Sequence, residues 1–140
     1  MSAQDPTLAE RLAGTDLFQG LSRRHLKKVV ELSQTVQHPP GRAVATEGLG
    51  ALAFHLVLDG QAKVTSDHQE IRTLGPGDYF GEISMIDGKP RSASVEAVDQ
   101  LTTLVVPHPV FLRLVDEEPT FAKSLLNILC ARIREAEARA

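Results

Sequence analysis

Within residues 80–95 lie a glycine, a carboxylate and a guanidinium at a spacing that suits one small ligand. Phe80-Gly81-Glu82-Ile83-Ser84-Met85 is followed by Arg91-Ser92-Ala93-Ser94-Val95. At Gly81 no Cβ blocks the approach of a ligand to the backbone. Residues 82–84, if they open a short helix, present unsatisfied N–H groups that attract an anion. Arg91 adds the charge and fork geometry that match a phosphate. Glu82 repels phosphate but accepts hydrogen bonds from sugar hydroxyls. An anion site beside a hydroxyl acceptor describes a ribose phosphate, and a cyclic one places the two features closest together.

The segment Phe80 to Val95, Pro90 included, resembles the phosphate-binding cassette of cyclic-nucleotide-binding domains. Such domains occur in protein kinase A regulatory subunits, cyclic-nucleotide-gated channels and catabolite-activator-type regulators. The resemblance implies that Gly81, Ile83 and Ser84 offer donors to a cyclic phosphate, that Arg91 pairs with its oxygens and that Glu82 takes the ribose 2′-hydroxyl. It places Ser92 beside phosphate or base, with Ala93 completing the motif. Val64, Ile71 and Leu74 are the expected apolar wall around the base; each also reads as ordinary core. In the family's bacterial regulators a C-terminal helix closes over the base with small hydroxyl side chains. Here no serine or threonine follows Ser124. Arg132, with a reach towards the phosphate, and Glu137, facing an exocyclic amino group, are the candidates in that lid; Arg132 also reads as a solvated helix charge. The implied ligand is cyclic AMP, with cyclic GMP the alternative, and no cofactor or metal is expected.

The elements that must position these groups change texture along the chain. Residues 7–33 read as helices, with Ser22 as N-cap of the second. His38-Pro39-Pro40-Gly41 stops that pattern, because consecutive prolines cannot extend a helix. Short β-rich runs with glycine punctuation follow to about 106, among them Ala53–Leu58, Gln61–Ser66, Glu70–Leu74, Ser92–Val98 and Leu101–Val106. Helix returns at Val110–Asp116, breaks at Pro119 and resumes from Thr120. The predicted fold is mainly β with flanking helices: a double-stranded β-helix or jelly-roll β-roll over about 34–106, including the cassette 80–95. N-terminal helices span about 7–33, and C-terminal hinge and lid helices about 109–139. All 140 residues read as one cyclic-nucleotide-binding domain.

A net charge of −3 provides no global field for nucleic acid. The local exception, Ser22-Arg23-Arg24-His25-Leu26-Lys27-Lys28, reads as the solvated face of a helix whose apolar side is Leu21, Leu26, Val29, Val30 and Leu32. Cys130 is the single cysteine, which excludes an internal disulfide and suits a reducing, cytoplasmic setting. Residues 1–6 lack the pattern of a secretory signal, and no apolar run reaches membrane-spanning length.

The expected role is a regulatory sensor, not an enzyme, that repositions its C-terminal helix on binding. Partners expected besides the nucleotide are an effector protein and a second copy, with no direct DNA contact and no membrane. The seam for the second copy is Ala122, Leu126, Leu129, Ile133, Ala136 and Ala140, at alternating spacings of four and three. Since the family's transcription factors continue into a DNA-binding domain, the chain reads as a free-standing receptor or the sensory part of a longer regulator. Two other readings compete. A degenerate β-roll would serve protein contact alone. A metal-dependent oxygenase would gather histidines, but His25, His38, His55, His68 and His108 show no metal-ligand spacing.

Overall fold

The computed structural model describes residues 7–45, 53–66, 69–82, 86 and 93–139. The chain opens with α1 (Leu8–Ala13) and α2 (Arg23–Glu31). Thr7 caps α1 by accepting from the Glu10 amide, and Ser22 caps α2 by accepting from that of His25. Eight strands follow: β1 (Gln34–His38), β2 (Ala43–Ala45), β3 (Ala53–Asp59), β4 (Ala62–Ser66), β5 (Gln69–Leu74), β6 (Tyr79–Phe80), β7 (Ser94–Ala97) and β8 (Leu101–Pro107). Two helices close the chain, α3 (His108–Glu117) and α4 (Pro119–Arg139). Pro119 does not interrupt α4 but opens it, where its missing N–H costs nothing.

The strands form two antiparallel four-stranded sheets, ordered β1-β8-β3-β6 and β2-β7-β4-β5. Strands β1 to β4 thus pair in turn with β8, β7, β6 and β5: an antiparallel ribbon rolled on itself, which is the expected jelly-roll β-roll. β1, in the polar run Gln34–His38, is a strand that no apolar alternation announces. It lies at a sheet edge, paired to β8 alone.

β3 and β8 are apolar on both faces because each face is covered. Phe54, Leu56, Leu58, Leu104 and Val106 meet the helices, while Val57 and Leu101 face the opposite sheet with Val64, Leu74, Phe80 and Val95. Under the helices Phe18, Phe54, Phe111 and Phe121 form one aromatic cluster, with ring centroids 5.1 to 5.7 Å apart. It joins the α1–α2 loop, β3, α3 and the first turn of α4.

One polar cluster interrupts this interior. The fully buried Thr103 hydroxyl lies 3.1 Å from His38 Nε2 and 3.3 Å from His55 Nδ1. The His55 ring stacks on Phe80 at 4.7 Å, directly before Gly81. Burial, then the positive charge of Arg42, lowers the His38 pKa, so this histidine favours the neutral form.

Candidate functional site

β6 delivers the chain to the site. Its pairing of Tyr79 and Phe80 with Leu56 and His55 fixes where Gly81 emerges, and Gly81 leaves at φ 99°, a conformation that strongly favours glycine. The next residue, Glu82, is only 2 % exposed. One carboxylate oxygen, Oε1, accepts from Arg132 Nη1 of α4. The other, Oε2, is buried with no hydrogen-bond partner among the described residues. An orphaned buried acceptor costs about 1–3 kcal/mol, and a hydroxyl donor would recover that energy.

Arg132, the partner of Glu82, lines a cleft of about 770 Å³ between the sheets and α4. Val64, Ile71, Arg72, Tyr79, Ala93 and Arg132 are among its lining residues. At its edge the Tyr79 hydroxyl donates to Asp16 Oδ1 at 2.7 Å, tying β6 to the α1–α2 loop. Burial first, then the Asp16 carboxylate, raises the Tyr79 pKa well above its usual value, so the phenol remains a donor at neutral pH. Among the described residues no group of three or more His, Cys, Asp or Glu is arranged to hold a metal ion.

The sequence candidates divide as follows. Gly81 and Glu82 directly follow β6, at the start of the expected cassette. Ile83, Ser84, Arg91 and Ser92 lie outside the described residues. Val64, Ile71 and Ala93 line the cleft, although Ile71 is 59 % exposed. Leu74 does not: it is buried between the sheets, opposite Ala62. β5 carries one extra residue, Ile71, because Val64 pairs with Arg72 whereas Thr65 pairs with Glu70. Arg72, two residues before Leu74 on the same strand face, therefore stands opposite Val64 at the cleft.

Arg132 pairs with Glu82, not with solvent as a bare helix charge would. Glu137 is exposed and not part of the cleft lining, whereas Glu135 and Arg139 are. Five residues past Arg132 is roughly 140° around the helix, which turns Glu137 away. Arg72, Tyr79 and Asp16 are among the cleft residues that the spacing arguments missed. Strand parity counted back from Leu74 points to Arg72; the Tyr79–Asp16 contact spans 63 positions and leaves no local signal.

These features agree with comparisons to known proteins. The family model for the cyclic nucleotide-binding domain matches residues 35–118. The cyclic AMP receptor protein of Thermus thermophilus is 30% identical over 131 residues, covering 90% of this chain and 61% of that protein. The crystal structure of the Thermus thermophilus catabolite activator protein superposes with a TM-score of 0.81 at 30% identity, over 89% of this chain and 61% of that one. A cAMP-dependent protein kinase regulatory subunit from Yarrowia lipolytica is 41% identical over 85 residues, 59% of this chain and 22% of that protein. The chain belongs to the cyclic nucleotide-binding domain family. It spans about three fifths of the length of the bacterial relatives it matches.

Proposed function

We propose that this domain binds cyclic AMP non-covalently, leaves it chemically unaltered and passes its presence to α4. One observation carries the reading: the buried Glu82 has one oxygen held by Arg132, which lines the cleft from α4, and one without a partner among the described residues. A ribose 2′-hydroxyl donating to Oε2 completes that carboxylate. Arg91 and the amides of Gly81, Ile83 and Ser84 are assigned to the cyclic phosphate, with Ser92 beside them. The names of the relatives, a cyclic AMP receptor and a cyclic-AMP-dependent kinase subunit, favour adenine.

The same contact supports a conformational readout. α3 and α4 are joined through the single extended residue Glu118, at φ −118° and ψ 94°. A small rotation there swings Arg132 relative to Glu82, so a ligand that engages Glu82 favours one setting of α4 over another. The receiver is an effector protein or a domain of a longer regulator.

Calorimetry with cyclic AMP, cyclic GMP and 5′-AMP tests the proposal. Binding of cyclic AMP at least about tenfold tighter than 5′-AMP is expected, which is about 1.4 kcal/mol. Equal affinity for 5′-AMP overturns it. Arg72 favours a second reading, cyclic GMP, because a guanidinium can pair with guanine O6 and N7 together. On that reading Arg72→Ala lowers cyclic GMP affinity and spares cyclic AMP; an unchanged ratio removes Arg72 from base selection.

Self-association through α4 is also proposed, on the exposed part of the expected seam. Leu126 and Ile133 are 62 % and 57 % exposed, whereas Leu129 packs partly on the domain's own core. Light scattering across a concentration series should show a dimer that Leu126→Glu disrupts. A monomer at every concentration, with and without nucleotide, rules the dimer out.

A further inference from the structure

α2 and α3 flank a second groove, of about 390 Å³, on a different part of the surface from the nucleotide cleft. Its floor is apolar, made by Val29, Leu32, Val110 and Leu114, with Leu32 41 % exposed. Lys28 and Arg113 are among its lining residues together with Glu117 and Glu118, and Arg23, Arg24 and Lys27 stand near Lys28 on the exposed face of α2, in a chain whose net charge is −3. Among the described residues the ion pairs of α2 are two, His25 with Glu118 at 3.2 Å and Lys28 with Glu31 at 3.9 Å. Lys28 and Glu31 are each about two thirds exposed, which makes that pair a weak neutraliser.

The placement of these cations is costly to the helix itself. α2 has no acidic residue in its first turn, and Arg23 and Arg24 stand there instead, against the positive end of the helix dipole. A merely solvated face would gain stability from acids at that end. A concentration of positive charge near a helix N-terminus, beside an exposed apolar floor, complements negative charge carried next to apolar side chains. Nucleic acid fits less well, because the apolar floor offers no polar groups to a base.

The geometry points to this groove as a docking site for an acidic amphipathic segment of a partner protein. Its apolar side chains would seat on Leu32, Val110 and Leu114, and its carboxylates would face Arg24 and Lys28. Arg24 and Lys28 are one helical turn apart, so acids spaced by four residues on a helical partner match them. The inference does not depend on which nucleotide binds, or whether one does.

Fluorescence anisotropy on the whole chain tests it, with a labelled helical peptide of about four turns that carries leucines on one stripe and glutamates flanking it. Controls are the same peptide with lysine in place of glutamate, and a short single-stranded oligodeoxynucleotide. Saturable binding of the acidic peptide is expected, weaker at high salt. The double variant Arg24→Glu, Lys28→Glu and the single variant Leu32→Asp should each lower the affinity at least about tenfold. Leu126→Glu, on α4, should leave it unchanged. Circular dichroism melting confirms that each variant folds; should the charge-reversed double variant fail to fold, Arg24→Gln with the salt series takes its place. The proposal is overturned by no saturable binding, by equal binding of the lysine peptide, or by full affinity in the groove variants. Tighter binding of the oligonucleotide, lost in the Arg24 and Lys28 variants, overturns it in favour of a nucleic-acid surface.

Discussion

Replacing Glu82 by alanine is expected to weaken cyclic-nucleotide binding by about 10- to 150-fold, the equivalent of about 1.5–3 kcal/mol for a hydrogen bond to a charged group. The unliganded protein, by contrast, should keep its melting temperature or gain a little. The opposite signs follow from the environment of the carboxylate. Glu82 is buried, one oxygen has no partner among the described residues, and the other depends on a single guanidinium. Burying a carboxylate in such a place is costly, and a single ion pair does not fully offset the desolvation. Arg132 is 29 % exposed, so on losing Glu82 it can turn to solvent and is not stranded as a buried charge. Calorimetry reads the affinity, and thermal denaturation without ligand reads the stability. If both fall together, Glu82 is a structural support and its assignment to the ribose hydroxyl fails. Arg132→Ala separates the partners: it leaves Glu82 with no partner and should destabilise the unliganded domain.

The cassette could be read from the sequence because its chemistry is local. Gly81, Glu82 and Arg91 are of types that surface accident seldom combines, and eleven residues, 81–91, hold all three. The β-roll was legible for a related reason: Ala53–Leu58 is a short apolar run bounded by turn residues, and it became a strand with both faces covered. What escaped was set by partners distant in the chain or by phase along an element. Tyr79 meets Asp16 through the folding of a loop onto β6. Arg132 meets Glu82 across 50 positions, and its role as that carboxylate's partner cannot be inferred from helix charge alone. Spacing from the Gly75 turn chose Leu74, which pairs opposite Ala62 between the sheets, whereas Arg72, two residues back on the same strand face, lines the cleft. Glu137 failed on helical phase. β1 carries too little apolar signal to declare itself, and its strand state comes from pairing with β8, as in Gln34 opposite Val105.

Phe121→Ala should produce the largest loss of stability, about 3–5 kcal/mol. In a domain of this size that lowers the melting temperature by roughly 10 °C or more. Phe121 is fully buried in the first turn of α4, its ring centroid 5.1 Å from Phe18 and 5.3 Å from Phe111. It therefore bridges the α1–α2 loop on one side and α3 on the other, across the junction at Glu118. Beyond Phe121 the buried anchor of α4 is Leu125, with Ile128 and Leu129 only partly buried. Removing the ring thus empties a cavity in the aromatic cluster and frees the base of the helix that carries Arg132. Phe121→Leu, which retains most of the apolar volume, should lose much less stability. Nucleotide affinity should fall in the alanine variant and largely recover in the leucine variant, because the cleft depends on where α4 is held and not on contact between Phe121 and the ligand. Denaturant titrations of both variants, followed by calorimetry where each is fully folded, check this. A stability loss below about 1 kcal/mol in Phe121→Ala, the size expected of an ordinary single substitution, would mean that α4 is held by its outer contacts and that the aromatic cluster is not its anchor.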